Sequence, residues 1–204
     1  MVFIDNLAYS LFAISIAGFL LLYTVASVYL AYRKKSRDFK SYLKSASIPI
    51  ALISVYLIVA GLWGQFRWPL PGSYNILFYD PFISFGLILF AFAVEARSGE
   101  RMDYSGFMAL LFGIMVIIYG IRGYGIGLTT VPIALLAMYF LYGIAAVFSF
   151  PVSLMAERMP GLKPNFWKGW YVMLAVFFVS LLLASALAGY VGAQAITAHL
   201  LNPP

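Results

Sequence analysis

The chain has 204 residues, 64% hydrophobic and only 10% charged, with a formal net charge of +6. Soluble domains run at about 45–50% apolar and about 25% charged, so no water-soluble fold could bury this much hydrocarbon, and the chain reads as one polytopic membrane domain. There is no cysteine, which excludes disulfides, thiolate catalysis, zinc–sulfur sites and iron–sulfur clusters within the chain.

Six apolar spans follow in order, an all-α transmembrane helix bundle. The first covers residues 7–32, with Asp5 or Asn6 as its cap. It is too long for a signal peptide and lacks a basic start, so it reads as a retained helix. The second covers 46–64, with Pro49 in its first turn, where a missing N–H costs little. The third starts at Asp80-Pro81 and covers 81–96. The fourth covers 104–120. The fifth covers 130–156, with Pro132 near its start and a kink expected at Pro151. The sixth covers 166–199. A short helix in the second-to-third connection would raise the count to seven.

The charges orient this bundle. Arg33, Lys34, Lys35, Arg37, Lys40 and Lys44 follow the first span, Arg97 and Arg101 the third, and Arg158, Lys163 and Lys168 the fifth. Eleven of the thirteen Lys and Arg thus fall on one side, leaving Arg67 and Arg122 on the other. The positive-inside rule makes the crowded side cytoplasmic. Both termini then lie outside, in a multi-pass protein of the plasma membrane. The basic cluster determines topology and faces lipid head groups; nucleic acid is not an expected partner.

The third span is short. Residues 82–96 cover about 22 Å, against a hydrocarbon core of about 30 Å. Either Glu95, Arg97 and Glu100 snorkel and the helix continues, or the helix starts below the surface. In the second case Asp80 caps a helix that begins inside the membrane, and residues 67–81, RWPLPGSYNILFYDP, fold back into the bundle beside it. Pro71-Gly72 supplies the reversal. Asp80 would then face Arg67, Arg122 or both, as a structural ion pair or as a clamp for an anion.

A weak internal echo points the same way. The second span ends GLWGQFR before Asp80-Pro81, and the fourth ends YGIRGYGIG before Thr130-Val131-Pro132. Gly/Pro-interrupted segments at matching places point to a transporter site. The sixth span carries Ser180, Ala184, Ala188 and Gly192 at every fourth residue, with Ser185, Gly189 and Ala193 alongside. Small side chains in such stripes let helices approach closely in lipid, and internal packing is the expected use.

The pattern Trp68-Pro69-x-Pro71-Gly72-Ser73-Tyr74-Asn75, Asp80-Pro81, Gly86, Tyr119-Gly120, Thr130-x-Pro132 and Tyr142-Gly143 resembles a family of small archaeal and bacterial membrane proteins classed as a domain of unknown function. The resemblance covers roughly residues 45–195. It implies an all-helical membrane fold and brings no substrate, cofactor or catalytic residue.

No catalytic constellation is visible. His199 is the single histidine, so bis-histidine haem, histidine-rich metal centres and Ser-His-Asp catalysis are not expected. Glu95, Glu100, Asp103 and Glu157 lie among basic residues and read as loop charges. No span holds an acid or base near its centre, which argues against a proton- or sodium-coupled pump. Trp63, Trp68, Trp167 and Trp170 mark span ends as an aromatic belt. Tyr56, Tyr119, Tyr139 and Tyr142 carry hydroxyls into the bundle. The expected function is therefore binding or passive conduction of a small solute or ion, an anion among the candidates, through an outward-facing mouth. That mouth is built from Arg67, Tyr74, Asn75, Asp80, Arg122 and Thr130. The alternative is an accessory or assembly subunit of a larger membrane complex. The lipid bilayer is the certain partner, a homo-oligomer or membrane-complex partner is open, and no cofactor or metal is expected.

Overall fold

The computed structural model describes residues 6–34, 39–158 and 168–201. Every regular element among them is a helix. These are α1 (Asn6–Arg33), α2 (Phe39–Arg67), α3 (Ser73–Ser98), α4 (Asp103–Gly125), α5 (Pro132–Arg158) and α6 (Lys168–Leu201). All six are long and apolar enough to cross a membrane, which makes this a multi-pass membrane protein. The proposed Asp5 cap, the basic residues Lys35, Arg37 and Lys163, and Trp167 lie outside the described residues. So do the side chains of Lys168 and His199.

Three boundaries differ most from the sequence expectation. Helix α2 starts at Phe39, not near residue 46. Lys40 and Lys44 are carried in its first turns, where long side chains reach the interface while their stems stay apolar. Pro49 is therefore inside α2 rather than in its first turn. Helix α4 runs on past residue 120 to Gly125, taking Arg122 into its last turn. The largest difference is α3. It starts at Ser73 and has 26 residues, about 39 Å at 1.5 Å per residue, enough to span the core. Asp80 is no cap, and residues 67–81 do not form a re-entrant loop. The connection is only residues 68–72, and Pro81 sits within the helix.

Two turns close with left-handed residues. Gly99 ends α3 at φ 80°, its N–H reaching the Glu95 carbonyl, the usual glycine C-terminal cap. Trp68 ends α2 at φ 48°, its N–H 2.9 Å from the Gly64 carbonyl. A side chain there costs about 1 kcal/mol.

The helices form a closed ring in chain order, each against its sequence neighbours, with α6 returning to α1. The broadest contacts are α4–α5 and α2–α3, and the slimmest ring contact is α3–α4. The small-residue stripe of α6 packs on α1 inside the protomer. A Cβ on Gly189 would lie 2.8 Å from the Ser15 hydroxyl, and one on Gly192 3.3 Å from the Ala8 carbonyl. The interior is filled by Leu57, Tyr79, Leu89, Leu181, Ala184 and Ala188, with a second cluster of Val28, Leu43, Met102, Met155 and Leu174 at the basic end. Large apolar residues such as Leu52, Phe66 and Val172 point outward, as a lipid-facing surface requires.

Candidate functional site

The end of the bundle opposite the basic cluster holds the α2–α3 and α4–α5 turns. There the first two turns of α3 are tied to three other helices by polar side chains. Proline dictates the first tie. Pro81 has no N–H, so the Leu77 carbonyl loses its intrahelical partner. The buried Tyr139 hydroxyl of α5 donates to that carbonyl instead. The second tie is Asn75, which is fully buried. Its Nδ2 donates to the Gly64 carbonyl at 3.0 Å, and its Oδ1 accepts from the Leu70 N–H at 3.3 Å. One side chain thereby fastens both the end of α2 and the connecting turn.

The third tie is Asp80, about 10 Å along the helix axis from the start of α3. It is half-buried. Gln65 of α2 donates its amide N–H to Oδ1, and the Tyr119 hydroxyl of α4 donates to Oδ2 at 2.6 Å. Ser84 donates to the Asp80 backbone carbonyl at 2.8 Å. Both carboxylate oxygens accept a hydrogen bond from a neutral donor. Neither Arg67 nor Arg122 forms an ion pair with it. Among the described residues the one ion pair is Arg101–Asp103 at 2.5 Å, in the α3–α4 turn.

The expected mouth residues therefore separate into three sets. Asp80 is the centre of a node. Asn75 serves the backbone beside it, and Tyr74 stacks on Phe78 with ring centroids 6.4 Å apart. Arg67, Arg122 and Thr130 are exposed at the helix ends and do not join Asp80. The expected Asp80–arginine facing is replaced by two neutral donors. Of these, Tyr119 stands out in the sequence as a tyrosine within an apolar span. Gln65 does not; its signal is a lone long amide in the last turn of α2, pointing at the following helix.

Below this node the interior is mostly apolar, with scattered buried hydroxyls such as Ser84, Ser105 and Ser180. A cavity of about 40 Å³ lies among Ile14, Phe82, Phe85, Phe112 and Val116, and one of about 90 Å³ among Val25, Phe92, Ala109 and Phe177; Ile88 walls both. No charged side chain lines either one. The Tyr142 hydroxyl beside the smaller cavity and the Ser185 hydroxyl at the α1–α6 contact are buried without a hydrogen bond of good geometry. At the basic end, Glu157 accepts the Met102 N–H at 3.2 Å. Among the described residues no group of three His, Cys, Asp or Glu is placed to hold a metal ion, and Glu95, Glu100 and Asp103 do not assemble into one.

No curated protein and no solved structure matches the chain. A family model does: the six helices and the motifs from Trp68 to Gly143 fall within a match over residues 1–202, and the chain belongs to the family described as proteins of unknown function, DUF981.

Proposed function

We propose that this protein binds a small cationic solute or ion at the far-end mouth, with Asp80 as the anchoring charge, in a plasma membrane where the basic end is cytoplasmic. One observation carries the reading. Asp80 is a half-buried carboxylate in a membrane-crossing helix, held by Gln65 and Tyr119 and lacking a cationic partner among the described residues. An ionisable group at that depth is costly and is retained where it serves a site. Its two donors orient the carboxylate and leave its charge uncompensated, so a cation or protonated amine is the complementary ligand. Binding is favoured over conduction, because no charged side chain lines the cavities beneath the node and only scattered hydroxyls are there to replace an ion's hydration shell.

The test is ligand-induced stabilisation of the purified protein. Sodium, potassium and methylammonium chloride are titrated at constant ionic strength against thermal unfolding. A ligand present at a hundred times its Kd adds about 2.7 kcal/mol. At least one cation should raise the melting temperature with saturation, and Asp80→Asn should abolish the rise while remaining folded. If no cation acts on the wild type, or Asp80→Asn responds equally, the reading falls and the accessory-subunit reading leads. Orientation is checked separately: cysteines at Lys40 and Gly72 should label from opposite sides, Lys40 from the cytoplasm.

A further inference from the structure

The α3–α4 seam opens at the far end into a groove of about 230 Å³. Its walls are Ile76 and Leu77 of α3 with Ile118, Gly123 and Ile126 on the α4 side, and Arg122 stands at its rim. Ile76, Ile118 and Ile126 are all exposed, so the groove faces the surroundings of the bundle rather than its centre. Around a membrane-crossing bundle those surroundings are hydrocarbon at depth and phosphate head groups at the ends of the chains. Arg122 lies in the last turn of α4 and has no ion-pair partner within 4.0 Å among the described residues. Its methylene stem can follow the groove while the guanidinium reaches the interface, where a planar fork of donors matches phosphate oxygens.

An apolar slot with one unpaired cation at its mouth complements a molecule with a hydrocarbon chain and a phosphate head. A second copy of the chain fits less well, since a two-fold contact through this face would bring two Arg122 side chains together. A free phosphate would leave the slot empty. We propose that the α3–α4 groove is a binding site for a bilayer lipid with an anionic phosphate head group, its chain lying between Ile76, Ile118 and Ile126 and its head on Arg122. The groove adjoins the Asp80 node through Tyr119, which lines it and donates to Asp80 Oδ2; a lipid in it needs no cation at Asp80.

The experiment uses the full chain in nanodiscs and phosphatidylglycerol carrying a photoactivatable diazirine in its acyl chain, with cross-links located by peptide mass spectrometry. Cross-links are expected within residues 73–77 and 118–128. Unlabelled phosphatidylglycerol should displace the probe about fivefold better than phosphatidylcholine, the ratio for one basic residue at a charged interface. Arg122→Gln should bring that ratio near one at this groove and leave cross-links at the basic end unchanged. Ile118→Trp, filling the slot from an exposed position, should remove the groove cross-links; Ile126→Trp repeats the block from the other lip should the first variant misfold. Glycerol 3-phosphate, a head without a tail, should not displace the probe. Equal displacement by the two lipids, an unchanged ratio in Arg122→Gln, persistence of groove cross-links in both tryptophan variants, or displacement by glycerol 3-phosphate would each overturn the proposal.

Discussion

The two flanks of α4 are built differently. On the α5 side Gly106, Gly113 and Gly120 recur every seven residues, two helical turns, so they form one stripe. A Cβ on Gly113 would lie 2.7 Å from the Gly143 carbonyl and 2.9 Å from the Ala146 Cβ. One on Gly106 would run into the Ser153 hydroxyl, and one on Gly120 would lie 2.6 Å from the Tyr139 Cβ. On the α3 side large side chains face each other, with Phe85, Ile88 and Phe92 of α3 and Phe112 and Val116 of α4 lining the spaces between. In lipid there is no hydrophobic drive to bring helices together, so close approach depends on small residues and dispersion contacts. Glycines close the α4–α5 flank. The α3–α4 flank opens into the 230 Å³ groove and borders the 40 Å³ and 90 Å³ interior cavities, which other helices help to line. The tight flank holds the fold, and the loose one is where a ligand has room.

The comparison breaks most readily at Gly113. Gly113→Ala places a methyl against backbone and a neighbouring Cβ, neither of which can swing away. Overpacking of this kind costs about 1–3 kcal/mol, and a loss near 3 kcal/mol is expected in thermal unfolding followed by size-exclusion chromatography. Gly125→Ala is the control. Nothing lies within 4 Å of its Cβ position, and the helix-propensity gain makes the change neutral or stabilising by up to about 1 kcal/mol. Equal losses at the two positions would mean that the stripe is not what closes this flank.

A smaller loss is expected at Asn75. Asn75→Asp replaces the donor that serves the Gly64 carbonyl with an acceptor, and Asn75→Ala leaves the Gly64 carbonyl short of one donor and the Leu70 N–H unpaired. Stranding a buried polar group costs about 1–3 kcal/mol, and about 2 kcal/mol is expected for either variant. Unchanged stability in both would show that the turn is held by its prolines alone. Tyr139→Phe ranks below this. It removes the donor to the Leu77 carbonyl, and single polar contacts inside membrane proteins average about 0.6 kcal/mol. The double variant Tyr139→Phe/Pro81→Ala should recover most of that loss, because replacing the proline restores a backbone N–H and gives the carbonyl back its intrahelical partner. Absence of recovery would separate the tyrosine from the proline.

These ties also show what a linear reading captures. Six helices were legible because apolar runs of this length have one stable form in a bilayer. The α6 stripe was legible because its spacing matches the helical period. The start of α3 was not. Asp80-Pro81 has the form of a cap followed by a first-turn proline, and the Tyr139 hydroxyl that takes up the carbonyl a mid-helix proline leaves free lies 58 residues later in the chain. The Asp80 site was half legible: the acid stood out in an apolar chain, and the arginines drew attention as the available opposite charges. Its actual partners, Gln65 and Tyr119, are neutral, and no charge pattern announces them. The echo between the two hairpins has a packing counterpart, since Gly64 receives the Tyr79 ring as Gly120 receives Tyr139.

The smallest effect is expected at Ala109, one turn before Gly113 on the same helix. Ala109 is 1% exposed, as buried as any residue on the tight flank, yet it lines the 90 Å³ cavity. That space exceeds the roughly 10–15 Å³ that a single water needs, so Ala109→Val has somewhere to put two methyl groups. The new contacts gain dispersion energy at about 0.1–0.2 kcal/mol per atom pair. Burial adds little beyond this, because lipid tails are as apolar as the cavity wall. The β-branched side chain loses about 0.5 kcal/mol of helix propensity against alanine. The terms nearly cancel, and a net change within about 0.5 kcal/mol is expected by the same thermal assay. A methyl at Gly113 and two at Ala109 should thus differ severalfold in cost, in favour of the larger insertion. If Ala109→Val instead costs as much as Gly113→Ala, the cavity closes in the membrane, the α3–α4 flank is as tight as its neighbour, and the contrast on which the groove rests disappears.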